Sequence, residues 1–163
     1  MGTELEELRV VKTAEAIADA IWKQVIQWDR LARDVVGGQL ARAADSIGAN
    51  IAEAYGRFHN GEKLQHLYYA RGSLFETKYW LNRAQNRGLM PAPEIQQHLI
   101  QLTDPARQLN AFVGNLKNQR SGESTSRALR ESRMTHIADG IDSPSLLFND
   151  AELKWIESLV PSL

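Results

Sequence analysis

The sequence predicts an all-α protein: an antiparallel up-down-up-down four-helix bundle with a C-terminal extension carrying one short helix. Three observations carry this. Four stretches of roughly 22–26 residues repeat apolar side chains at three- and four-residue steps, the period of a helix. Their connectors are short, which places consecutive helices side by side in opposite directions. No stretch alternates at strand period and none repeats.

The first helix is expected over about residues 5–28, from Leu5, Leu8, Val11, Ala14, Ala18, Ile21, Trp22, Val25 and Trp28. Glu4, Glu6 and Glu7 open it, where the helix dipole favours negative charge. Residues 29–33 form the turn. The second helix covers about 34–57, with Gly37 and Gly38 near its start either lowering local helix propensity or permitting close backbone approach. The third covers about 62–87 through Leu64, Leu67, Tyr68, Leu74, Phe75 and Leu81, and two polar residues, Arg71 and Lys78, interrupt that apolar series. Gly88 is expected to end it in the left-handed conformation. The fourth spans about 94–118, through Ile95, Leu99, Leu102, Ala106, Leu109, Val113 and Leu116. Pro105 is expected to kink or break it, with Thr103 or Asp104 capping a restart. Residues 119–128 read as polar linker, which sets the boundary between a bundle (1–118) and an extension (119–163). In the extension, residues 145–160 read as an amphipathic helix, with Asn149 and Glu152 spaced as a capping box.

Composition narrows the function classes. The chain of 163 residues has a formal net charge of −1 and no cysteine. Disulfides, thiolate nucleophiles and cysteine-ligated zinc are therefore excluded. Residues 1–120 carry 15 Lys/Arg and 13 Asp/Glu, against 4 and 7 in residues 121–163, so a mildly basic body bears an acidic tail. The acidic start has no apolar signal core, and no apolar run is long enough to span a membrane, so a cytoplasmic protein without membrane contact is expected. His59, His66, His98 and His136 lack Glu-x-x-His or His-x-x-x-His spacing. No glycine-rich phosphate loop is present, and Ser46 and Ser73 lack a base with an orienting acid. No metal, no cofactor and no catalytic residue is expected.

The second helix is unusual. At about 100° per residue, Arg42, Ser46, Asn50, Glu53 and Arg57 share one stripe, Leu40, Ala43, Ile47, Ile51, Ala54 and Phe58 another, and Ala41, Ala44, Gly48 and Ala52 a third strip of small side chains. Folded back on the third helix, the polar stripe comes level with Glu76, Ser73, Tyr69 and His66. An Arg42–Glu76 ion pair, a Ser46–Ser73 contact and a Glu53–Arg57 pair are expected, with Gly72 allowing close approach. This polar seam of Arg42, Ser46, Asn50, Glu53, Arg57, Ser73 and Glu76 would fix register within the bundle or between protomers. An alternative use of Arg42, Arg57 and Arg71 is binding nucleic-acid phosphate. Leu153, Trp155, Ile156, Leu159 and Val160 on the tail helix are candidate partner-binding anchors, in helix-in-groove fashion.

The run Gln39–Phe58, QLARAADSIGANIAEAYGRF, resembles the RAA-x-SI-x-x-NIAEG-x-GR signature of bacterial four-helix-bundle proteins encoded in intervening sequences of 23S rRNA genes. Tyr68–Glu76 is similar to the family's A-x-GSL-x-E motif, and Leu8–Ala14 to its opening. Ala54 stands where the signature has glycine, and residues 119–163 lie beyond the resemblance. The resemblance implies a homo-oligomer, commonly a pentameric ring. It also implies kinship with accessory variability proteins of diversity-generating retroelements, which bind nucleic acid and a reverse transcriptase. The expected function is a non-enzymatic oligomeric scaffold or accessory protein associated with RNA, DNA or a reverse transcriptase. The alternative is an adaptor whose C-terminal helix docks on a protein partner.

Overall fold

A computed structural model describes residues 4–131 and 146–159. Among these residues every regular element is helical. Helix α1 is Glu4–Val25. Asp29 then accepts a hydrogen bond from the Ala32 amide and starts a single turn, Arg30–Ala32. A π-helical segment, Arg33–Gly37, leads directly into α2, Gly38–Gly56. Helices α3, Asn60–Asn86, and α4, Ala92–Glu131, follow, and the short α5 is Asp150–Glu157.

The apolar stripes meet in one core, apart from Trp22, Tyr68 and Phe58, which are exposed, Phe58 because it lies beyond the last turn of α2. Ile21, Leu40, Ile47, Ile51, Leu67, Leu74, Leu81, Ile95, Leu99, Leu102 and Leu109 are all fully buried in it. The third strip of α2 turns inward too: Ala41, Ala44 and Gly48 are buried. A methyl added at Gly48 would rest 3.6 Å from the Ala14 Cβ of α1, an ordinary contact. Only Ala52 of that strip faces out. At the far end of α1 the Gln24 side-chain oxygen accepts from His98 Nε2 of α4 at 2.9 Å, and midway along it the Thr13 hydroxyl accepts from Gln108 at 3.4 Å.

Several boundaries differ from the sequence expectation. Helix α1 stops at Val25, and Trp28 packs half-buried in the turn beyond it. Pro105 lies inside an uninterrupted α4. Thr103 caps nothing there; its hydroxyl donates to the Ile100 carbonyl at 2.6 Å. A proline forfeits one helical hydrogen bond, but its neighbours Leu102, Ala106 and Leu109 are sealed in the core, and their burial holds the helix through it. The polar stretch 119–128 is helix, not linker, because α4 continues to Glu131. Extending a helix that already exists avoids the nucleation cost an isolated polar segment would face.

The α3 terminus follows expectation. Gly88 has φ of +67°, with its amide bonded to Gln85 and the Leu89 amide to Ala84. Leu89 packs against the core, the apolar contact that accompanies this cap. Gly72, by contrast, does not mediate close approach: it is exposed, and a Cβ there would meet nothing within 4 Å. Gly72→Ala is therefore expected to stabilise the protein by about 0.5–1 kcal/mol through helix propensity alone, read as a raised urea midpoint.

Candidate functional site

The polar seam is real as a stripe but not as a ladder of cross-helix bonds. Asn50 donates to the Ser46 carbonyl of its own helix at 2.8 Å. Ser73 donates to the Tyr69 carbonyl, and Thr77 to the Ser73 carbonyl at 2.7 Å. Among the described residues no ion pair joins Arg42 to Glu76. Both side chains are exposed, and Glu76 accepts instead from the Trp80 indole at 3.4 Å. Folding two helices back fixes which residues are level. It does not fix which way their Cβ atoms point. Short hydroxyl and amide side chains turned toward a neighbouring helix satisfy themselves on the preceding turn.

One end of the seam does bridge. Glu53 pairs with Arg57 and stands 3.7 Å from His66 Nε2 on α3. The Arg57 hydrogen bond, and then the His66 charge, hold the Glu53 carboxyl below the usual carboxylate range. Two of the three arginines considered for phosphate are thus engaged within the chain: Arg57 by Glu53, and Arg71 as follows.

Arg71 holds the tail. Its Nε donates to the Leu147 carbonyl at 2.7 Å and its Nη2 pairs with Glu152. The guanidinium lies 4.7 Å from the centre of the Phe75 ring and 5.7 Å from that of Phe148. Seven residues on, Lys78 is fully buried. Its ammonium donates to the carbonyls of Ile156, at 3.2 Å, and Ser158, and sits 4.5 Å from the Trp155 ring centre. It therefore closes the C-terminus of α5, where the helix dipole favours a cation. Helix α4 supplies the other wall. Asn110 donates to the Phe148 carbonyl and accepts from its amide, both at 2.8 Å. Gln96 donates to the Glu157 carbonyl, and Arg107 pairs with Glu157 at 3.1 Å.

Four of the five anchors proposed for a partner thus belong to a segment seated on its own bundle. Ile156 is buried and Leu153 and Leu159 pack against the core. Trp155 stacks on Phe75 with ring centres 5.2 Å apart and stays partly exposed. Val160 lies outside the described residues, as does His136. Leu147 and Phe148, which sequence reasoning passed over, are further anchors: both are buried, and Phe148 stacks on Phe75. The capping box forms as expected, Asn149 with Glu152. Glu152 therefore serves twice, bonding the Asn149 amide through one oxygen and Arg71 through the other.

Burial pushes the Lys78 ammonium down to about 8, because two carbonyls and an aromatic face do not replace its lost water. An unfolded chain holds that proton up to the ordinary lysine value of about 10.5. Between those limits the unfolded state binds more protons, so stability rises as pH increases from about 8 to 10.5 and is lost again as pH falls through 8. The stability difference between wild type and Lys78→Met is expected to shift toward wild type by roughly 2 kcal/mol between pH 7.5 and pH 10.5. Urea melts of both proteins at the two pH values check this.

Among the described residues no group of three or more His, Asp or Glu could hold a metal ion, and no helix is long and apolar enough to cross a membrane. None of the curated proteins and none of the solved structures matches the chain. A family match does exist; it covers residues 6–111, including both signature motifs, and leaves the docked tail outside. On that match the chain belongs to the 23S rRNA-intervening sequence protein family.

Proposed function

We propose that the protein is a non-enzymatic homo-oligomeric scaffold, built on an antiparallel up-down-up-down four-helix bundle. The Gln24–His98 and Thr13–Gln108 pairings support that topology, because numbers rise along α1 as they fall along α4. One observation supports the assembly: a set of large apolar side chains left exposed among the described residues. Leu31 is 73% exposed and Val35 50%, and with Leu89 they line an open cleft of about 430 Å³. Trp22 and Ile26, just before in sequence, are 54% and 41% exposed. Patches of this kind on a soluble domain mark contact surfaces. The resemblance to pentameric rings favours five copies. Arg42, exposed and without an ion pair among the described residues, would then recur once per copy, an arrangement suited to nucleic-acid phosphate at low salt.

The test is solution mass by light scattering on the full chain, with Leu31→Asp beside it. The expected mass is a multiple of 18.3 kDa, lowered toward a single copy by the substitution. A wild-type chain that stays at 18.3 kDa at micromolar concentration overturns the reading. The absorbance ratio in the same run reports co-purified nucleic acid, and its absence at low salt removes that part alone.

A further inference from the structure

The cleft beside Leu31 lies where the turn between α1 and α2 meets the connection between α3 and α4, at one end of the bundle. Leu31, Val35 and Leu89 make it apolar. Among the described residues its charged lining is Asp29 and Arg87, one of each sign. Both are exposed, yet no ion pair joins them, and Arg87 has no carboxylate partner among the described residues. Both are also fixed through the backbone. Asp29 accepts from the Ala32 amide at 3.0 Å, and the Arg87 amide closes α3 on the Arg83 carbonyl at 3.2 Å. A carboxylate has several lone pairs, so capping the turn leaves Asp29 free to accept again. A cation and an anion thus flank one apolar cleft, placed in advance and unpaired with each other.

We propose that this cleft pairs end-on with the same cleft of a second copy across a two-fold axis, Arg87 of each copy meeting Asp29 of the other. The proposal rests on the homo-oligomeric reading above and gives that contact its geometry. In a two-fold contact each surface meets itself, so it must carry its own complement. An apolar cleft lined by one acid and one base does so, whereas a cleft lined by charges of one sign would repel its copy. Opposite charges brought together across an interface also set the register of the two partners. The same operation takes both copies' Leu31 and Val35 out of water, the burial that drives the association. A two-fold contact gives each copy one partner through this surface. A ring of five, formed through the helix flanks, would then stack on a second ring, so the expected mass is that of two or ten copies and not of five.

Charge reversal on the full chain tests it. Arg87→Glu puts two carboxylates at each contact, and Asp29→Arg puts two guanidinium groups there. Because the contact is two-fold, each substitution is felt twice. Either variant alone is expected to dissociate about tenfold more readily than wild type or worse, followed by sedimentation over a micromolar dilution series. Mixed in equal amounts, the two complement each other at both contacts, and the mixture should recover the wild-type mass. Asp29→Arg also removes the cap on the Ala32 amide. Asp29→Asn keeps that cap, so a cycle of Asp29→Asn with Arg87→Gln carries the test if Asp29→Arg does not fold: the two losses of association should be non-additive. Three results overturn the proposal and leave the homo-oligomeric reading standing. They are a wild-type mass of five copies, an unchanged mass in Arg87→Glu where Leu31→Asp lowers it, and a mixture (or a cycle) that shows no coupling between the two positions. A wild-type chain at 18.3 kDa overturns both.

Discussion

Phe148→Ala is expected to undock the tail. The ring is fully buried, lies 5.9 Å from the Phe75 ring in a stacked arrangement, and its backbone is held on both sides by Asn110. Truncating a buried phenylalanine costs about 3–5 kcal/mol through lost transfer energy and the space left behind. The tail segment is too short to sustain a helix on its own, so that loss falls on docking and not on the bundle. About 3 kcal/mol corresponds to roughly two orders of magnitude in a local opening equilibrium. Hydrogen exchange should therefore quicken about a hundredfold at the bonded amides of Leu153 and Ser158. Core amides of α1, α2 and α3 should keep their protection. Phe75→Ala should do less, because Phe75 is only half-buried. Unchanged protection at the tail amides would show that Arg71, Lys78 and Asn110 hold the segment without its aromatic anchor.

How much of this was legible beforehand follows from what kind of interaction each feature depends on. The helices and the core were legible because burial imposes a period, and Leu40, Ile47, Ile51, Leu67, Leu74 and Leu81 all lie where that period puts them. The Gly88 stop and the Asn149–Glu152 box were legible because caps are local: the residues that form them sit within a few positions of each other. Pro105 and residues 119–128 were misread for the same reason. Local preference argued for a break and a linker, while tertiary burial and helix propagation decided otherwise. The groove left a subtler trace. Arg71 and Lys78 stood out as the polar interruptions in the apolar series of α3. Each turned out to face a segment some eighty residues away, Glu152 for Arg71 and Ser158 for Lys78. A cation within an apolar stripe indicates that something must cover it and supply acceptors. It does not say what. The mates on α4, Gln96, Arg107 and Asn110, carry no such signal, since each would look ordinary on a solvated face.

Gly37→Ala is expected to be the most damaging single methyl added anywhere on α2 or its lead-in. Elsewhere in a helix this change is favourable by about 1 kcal/mol, as expected at Gly72. At Gly37 the new Cβ would fall 2.6 Å from Val25 Cγ1 and 3.4 Å from the Trp28 ring. Neither neighbour yields cheaply. Val25 is buried at the end of α1 and β-branched, so its χ1 has few alternatives. Trp28 is wedged against the core in the turn between α1 and the π-helical segment. Overpacking of this kind costs about 1–3 kcal/mol, and after the propensity gain a net loss of up to about 2 kcal/mol remains. A double-mutant cycle separates the clash from any other effect. Val25→Ala alone destabilises by removing buried methyl groups. With those methyls gone, adding Gly37→Ala should become neutral or favourable, giving a coupling of about 1–3 kcal/mol between the two sites. Urea unfolding of the four proteins measures it. Strict additivity would mean that α1 and the π-helical segment sit further apart in solution than Val25 and Gly37 require.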